Sequence, residues 1–271
     1  MTDHYAVFGN PVAQSKSPMI HGRFAALSGQ DMAYDKIEAP LGGFADAVQR
    51  FRDAGGKGCN VTAPFKIDAF AIAGTATDDA RLAGSANTLR FSDGAIEAHN
   101  SDGIGLTRDI QDNLHTPLAG KRILMLGAGG AVRGVLLPFL QAQPDELSLL
   151  NRTPDKAAAL AEMMADYGMV TLCDPVECGG FDIVINGTSS SLTGSCPALP
   201  RGVFDGCALA YDLTYGKGLT PFLAAARDAG VPHVADGVGM LVEQAAESFR
   251  WWRGITPATG DLIADMTVPL V

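Results

Sequence analysis

Four short stretches hold the residues of this chain whose types and spacing could do chemistry. NVTAPFK ends at Lys66, after a proline-aromatic pair that should close a buried strand. The ordinary reading of that lysine is a solvated side chain in the first turn of the next helix, because lysines seldom do anything else. GNPVAQSKSPMIHG offers Ser15 and Ser17, two hydroxyls that could face one ligand. Ser17 before Pro18 is also a good helix N-cap, which accounts for one serine and leaves Ser15 without a structural reason. AHNSDGIG has the same double reading, since Asp102 is placed to cap a helix starting at Gly103.

The fourth stretch, ILMLGAGGAVRG, puts Gly127, Gly129 and Gly130 where an apolar strand gives way to a helix. Backbone amides there can cradle a pyrophosphate. Val132 replaces the third glycine of the G-x-G-x-x-G pattern, so the fingerprint is imperfect. The end of the next strand sharpens it. An NAD site usually carries an acid there to accept from the adenosine ribose, whereas this chain has NRTPDK. Arg152 and Lys156 suit a 2′-phosphate, which makes the expected cofactor NADP. Thr153 ahead of Pro154 should also cap a helix, and the two roles do not compete.

These stretches need a scaffold to place them. Short apolar runs alternate with helical patterns, the mark of an α/β chain with helices packed on largely parallel sheets. Strands are expected at YAVFG, AYDKIEA and KGCNVTA, with helices over 18–28 and 43–54. NTLRFSDGAIEAH reads as a hairpin turning at Ser92-Asp93-Gly94. Further strands are expected near 123–126, 147–150, 183–185 and 209–212, then a long helix in DGVGMLVEQAAESFRWWRG and a short one over 257–266.

At 271 residues, 47% hydrophobic and 18% charged, the chain fits two globular domains. It contains no run of the ~20 apolar residues a membrane helix needs, and its start lacks a basic, apolar leader, so a cytoplasmic location is expected. The net charge of −10 disfavours nucleic acid and anionic lipid as partners. The five cysteines (59, 173, 178, 196, 207) are scattered and read as reduced packing residues. The histidines are dispersed too, and no metal is implied.

GNPVAQSKSP, NVTAPFK, GSANTL, NSDGIG, GAGGA, NRT and DGVGMLVEQAAESF occur in this order. Together they resemble the NADP-dependent shikimate dehydrogenase family, over nearly the whole chain from Gly9 to about Gly254. The resemblance implies an N-terminal α/β substrate domain completed by C-terminal helices (1–102 and 236–271), with a Rossmann-type NADP domain between (103–235) and a cleft where the two ligands meet. It implies reversible reduction of 3-dehydroshikimate to shikimate by NADPH, on the route to chorismate and the aromatic amino acids.

Lys66 and Asp102 match the family's catalytic pair. Ser15 and Ser17 match its carboxylate ligands, with Tyr215 nearby, and Asn60, Thr62, Asn87 and Gln244 match residues around the ring hydroxyls. On the cofactor side the matches are Gly127, Ala128, Gly129, Gly130 and Ala131; Asn151, Arg152, Thr153 and Lys156; and Leu213, Gly237 and Met240, with Asp78 at the edge. Two departures stand out. Gly22 follows His21 where many members have Asn, and YGKG follows Thr214 in place of YNP. The rival readings are a quinate/shikimate dehydrogenase preferring NAD and a non-catalytic nucleotide-binding regulator. A small-molecule substrate is implied, and the family occurs both as monomers and as homodimers.

Overall fold

The computed structural model describes residues 2–92 and 94–270. Two compact units emerge, one running to Gly105 with Val242–Leu262 added, the other Leu106–Leu241 with the residues from Ile263 onward.

In the first unit β1 (Asp3–Gly9), α1 (Ser17–Ser28), β2 (Met32–Glu38), α2 (Phe44–Asp53) and β3 (Gly56–Val61) follow one another. The helices act as crossovers, so β1 pairs in parallel with β2 on one side and β3 on the other. Then come α3 (Lys66–Ala71), β4 (Thr75–Ala76), α4 (Asp78–Ala83), β5 (Thr88–Ser92) and β6 (Ala95–His99). The expected hairpin is present as the antiparallel β5–β6 pair; Asp93 of its turn lies outside the described residues. The sheet order is β2-β1-β3-β5-β6-β4. Phe8, Phe44, Val48, Phe65 and Leu89 form its core.

The second unit is doubly wound. α5 (Asp102–Arg108) continues through a π turn at Asp109–Asn113. After it come β7 (Arg122–Leu126), α6 (Gly130–Gln141), β8 (Glu146–Leu150), α7 (Pro154–Met163) and β9 (Val170–Leu172), which build outward in one direction. β10 (Ile183–Asn186), β11 (Leu209–Asp212), α8 (Pro221–Asp228) and β12 (His233–Asp236) build outward in the other. The order β12-β11-β10-β7-β8-β9, parallel throughout, reverses between β7 and β10. Ligands of such sheets bind beyond the strand C-termini at that reversal, where the glycine loop leaves β7. α9 (Val238–Arg253) and α10 (Gly260–Met266) end the chain.

Several details differ from expectation. The units divide inside α5, α9 and α10, whereas the expected edges are Asp102 and Asp236. Residues from Ile263 on group with the second unit, where Leu270 packs on its core. Ser17 is the first residue of α1 rather than its cap; Lys16 holds the cap position without a side-chain bond. Thr153 does occupy the cap position of α7, but its side chain makes no capping bond. Cys173 and Cys178 are joined by a disulfide, not reduced. Their backbones are held by the Leu149 and Arg201 carbonyls, which brings the two Cα atoms within 6.1 Å. Cys59 and Cys207 are buried and free, as a packing role requires, whereas Cys196 is exposed.

Phe65 links core to loop. Its ring stacks on Phe44 with centroids 5.0 Å apart, and the residue directly after it is Lys66. Phe65→Ala should therefore lower stability by about 3–5 kcal/mol, as a large core truncation does. The check is a urea titration, in which the midpoint falls while the slope stays constant.

Candidate active site

Lys66 opens α3, and its backbone is pinned from both sides. Phe65 anchors in the core before it, and the Lys66 carbonyl accepts from the Ala86 amide at 2.8 Å. From there Nζ reaches Asp102 Oδ2 at 2.6 Å. The lysine side chain is 34% exposed and the aspartate 9%, so the pair meets solvent from the lysine side. An ammonium has three donors and Asp102 takes one, which leaves others for an oxygen in front.

Asp102 also receives a bond from Asn87 Nδ2, at 2.8 Å to Oδ1. With both oxygens engaged, the carboxylate has little freedom to rotate away from the lysine. Asn87 is oriented in turn: its Oδ1 accepts from the Ser101 amide at 3.0 Å, and its Nδ2 lies 3.1 Å from Gln244 Oε1. Asp102 stands at the first position of α5, and its carboxylate serves Lys66 and Asn87 instead of capping. Lys66, Asp102, Asn87 and Gln244 thus come together in one polar cluster of the first unit.

Behind that cluster lies a layer whose supporting role the sequence motifs do not show. Asn60 is buried, and its side-chain bonding capacity is used inside the protein. Oδ1 accepts from the Tyr34 hydroxyl at 2.6 Å and from His21 Nε2 at 3.0 Å. Nδ2 points at Asn87 O, Thr88 Oγ1 and Ser248 Oγ, all within 3.1 Å. Asn60 is therefore a strut, whereas Thr62, two residues nearer Lys66, is half-buried. His21 stacks on Tyr34 with rings 4.4 Å apart. Its place among the buried positions of α1, beside Ile20 and Phe24, is the one signal in the sequence for such a partner. Ser15 Oγ lies 3.2 Å from Ser17 Oγ, so the two hydroxyls do stand together. Asp78 is apart from this cluster: it is exposed in the first turn of α4 and paired with Arg81.

The remaining candidates lie in the second unit. Gly127 has φ +111°, and a Cβ there would meet the Gly187 carbonyl group at 3.2 Å. Gly129 and Gly130 face open space, with nothing within 4 Å of an added Cβ. α6 starts at Gly130 with no side-chain cap and no acid in its first turn, so its leading amides can serve an anion. Val132 is buried where a third glycine would sit, and the close approach is made from the other side: a Cβ on Gly187 would come within 2.5 Å of Val132.

After β8, Asn151 Nδ2 donates to the Thr153 carbonyl at 2.8 Å, shaping a turn that leaves Arg152 and Lys156 exposed. These features fit a dinucleotide with a phosphorylated ribose. Leu213 follows β11, Gly237 follows β12, and Met240 lies in the first turn of α9. Tyr215 is 42% exposed, in a loop whose next amide, Gly216 N, donates to Asp236 Oδ2 at 3.1 Å. The YGKG departure is thus accommodated by a glycine at φ +72° tied to a buried acid.

Comparison with known proteins reaches both units. A family model of the shikimate dehydrogenase substrate binding domain matches residues 7–89. One of shikimate / quinate 5-dehydrogenase matches 109–193, and one of the shikimate 5′-dehydrogenase C-terminal domain matches 237–262. A shikimate dehydrogenase (NADP(+)) of Aromatoleum aromaticum is 52% identical, covering 97% of this chain and 96% of its own. The crystal structure of an Ael1 enzyme from Pseudomonas putida has 53% identity and a TM-score of 0.96, with 100% of both chains covered. That of shikimate 5-dehydrogenase from Thermus thermophilus, in complex with NADP(H) and shikimate, has 30% identity and a TM-score of 0.86, over 97% of this chain and 98% of its own.

The buried layer titrates. Burial pushes the His21 imidazole down to about 3, against a smaller opposing pull from its bond to Asn60. Nε2 donates to Asn60 Oδ1, and Nδ1, which has no partner among the described residues, would have to carry the added proton. Below the ordinary histidine value of about 6.5, the unfolded chain binds a proton that the folded chain refuses, so stability is lost as pH falls from there toward 3. Urea midpoints should drop between neutral pH and pH ~5 by more in the parent than in His21→Gln, which carries no titrating ring.

Proposed function

The chain belongs to the shikimate dehydrogenase family, and from that membership we propose that it reversibly reduces 3-dehydroshikimate to shikimate with NADPH, in the synthesis of chorismate and the aromatic amino acids. The observation that carries this reading is the contact between Lys66 Nζ and Asp102 Oδ2 at 2.6 Å, beside Asn87 and Gln244.

NADPH, when bound, supplies the hydride. As hydride reaches the carbonyl carbon, the C=O π electrons move to oxygen, where negative charge develops. Lys66 opposes that charge and passes a proton to the oxygen, giving the alcohol. In the oxidation direction the neutral amine takes the proton back. Asp102 favours the ammonium form and holds the amine in place, and Asn87 fixes the carboxylate that does so.

The Ser15 and Ser17 hydroxyls receive the substrate carboxylate. Thr62, Asn87 and Gln244 address the ring hydroxyls, and Asn60 supports them from behind. A substrate analogue lacking one hydroxyl leaves a site group without its partner, at a cost of ~1–3 kcal/mol, which is how such a pocket selects a polyhydroxylated acid. The unit running to Gly105 with Val242–Leu262 is the substrate domain, and Leu106–Leu241 with the residues from Ile263 onward the NADP domain.

Gly127, Ala128, Gly129, Gly130 and Ala131 would hold the pyrophosphate, and Asn151, Arg152, Thr153 and Lys156 the 2′-phosphate. Leu213, Gly237 and Met240 would line the nicotinamide. The NAD-preferring alternative is not favoured, since Asn151 and Arg152 stand where an acid would be needed. The reading includes action on small molecules in the cytoplasm, as a monomer or homodimer. No described helix is long and apolar enough to cross a membrane.

Nicotinamide absorbance followed with shikimate and quinate, each against NADP and NAD, tests the proposal; no turnover with shikimate and NADP would defeat it. Lys66→Ala should lower turnover at least a hundredfold, roughly 2.7 kcal/mol of transition-state stabilisation, with substrate affinity nearly intact. More than about a tenth of the parent's turnover would remove Lys66 from its role. Arg152→Ala should weaken NADPH by ~1.5–3 kcal/mol while changing NADH little, as measured by the KM of each.

A further inference from the structure

The first turn of α9 is tied down by groups that the catalytic reading does not use. The leading amides of a helix have no partners within it. Here Val238 N donates to Asp236 Oδ1 at 3.2 Å. Met240 N donates to a side chain from another element altogether, the hydroxyl of Tyr211 on β11, at 3.3 Å. That hydroxyl has one proton, and it goes to Asp109 Oδ2 at 2.7 Å. Asp109 also accepts from Asn113 Nδ2 at 3.0 Å, which steadies the carboxylate within the π turn.

The chain of bonds is buried and has no slack. Tyr211 is fully buried and Asp109 nearly so. A Cβ on Gly239 would lie 1.8 Å from Asp109 Oδ1, so the carboxylate occupies the place where any side chain at 239 would begin. Burial, with the charge of Asp109 adding to it, pushes the Tyr211 phenol well above its usual range. The hydroxyl therefore keeps its proton, and the direction of the bonds stays fixed: amide to phenol, phenol to carboxylate.

We propose that Tyr211, held by Asp109, is a positioning residue for the nicotinamide half of the cofactor, acting through the backbone of Met240. This rests on the assignment of Met240 to the nicotinamide side made above. The glycine loop and the Arg152 turn are attached to other strands and have no part in this chain of bonds. Removing the phenol oxygen should thus loosen one half of the dinucleotide and leave the other as it was.

Tyr211→Phe keeps the ring and deletes the oxygen. The test compares its affinity, by calorimetry without substrate, for NADPH and for adenosine 2′,5′-bisphosphate, which has the phosphorylated ribose and no nicotinamide. The expected result is NADPH binding about tenfold weaker and bisphosphate binding within about twofold of the parent. Asp109→Asn, whose carbonyl can still accept from the phenol, should fall between parent and Tyr211→Phe. Equal weakening of both ligands, or no change in either, overturns the proposal. If Tyr211→Phe does not fold, Asp109→Asn decides by the same comparison. A parent chain that binds bisphosphate but not NADPH overturns the assignment of Met240 and this inference together, whereas a parent that binds both while the variants show no difference overturns the inference alone.

Discussion

A charge taken partly out of water must be matched, and the first unit is organised around that requirement at Asp102. Its carboxylate is nearly buried, so both oxygens need donors. Lys66 supplies one at 2.6 Å and Asn87 the other at 2.8 Å. Removing one partner of such a pair costs more than the pair contributes, because the remaining charge stays where water cannot reach it. The pair therefore persists only if its surroundings hold both members in place. α3 does so for the lysine through Phe65, and the β5 and α9 residues do so for the carboxylate through Asn87.

That second support extends well beyond the ions. Asn87 is held by Ser101, Thr88 packs beside it, and Thr88 and Ser248 both meet Asn60, which closes on Tyr34 and His21. Each member bonds to the next, save that His21 Nδ1 has no partner among the described residues. A buried network of this kind is rigid when complete and costly when broken, since a single orphaned group bears its full desolvation. The polar residues that α1, β2, β3, β5 and α9 turn inward are in this sense one construction, whose front face is the candidate site.

Most of the fold can be read from the amino-acid order because parallel strands buried on both faces leave continuous apolar runs, as in DHYAVFG and RILML. Short elements are harder. The two-residue β4 and the three-residue β9 carry too little pattern to stand out, and β12 ends in the acid that precedes α9. The candidate site is legible as words: Lys66, Asp102 and Asn87 do meet. What the words conceal is the division of labour among neighbours. Asn60 and Thr62 are two residues apart in one motif, yet the first is a buried strut and the second is half-exposed. The letters alone do not separate them; the partners of Asn60, which lie up to 188 residues away, do.

The glycine loop gives the same lesson in the second unit. A third glycine in the fingerprint serves close packing between helix and strand, and on the sequence alone Val132 reads as a defect. The requirement is for a small residue at one point of contact, and a contact has two sides. Gly187, directly after β10, supplies it, with Val132 filling the space its missing side chain leaves. A pattern confined to one segment cannot register an exchange with another strand 55 residues later, whereas the packing demand itself is met in the geometry. The fingerprint is therefore better stated as a distance between α6 and the neighbouring strand ends than as a run of letters. Stated so, this chain satisfies it.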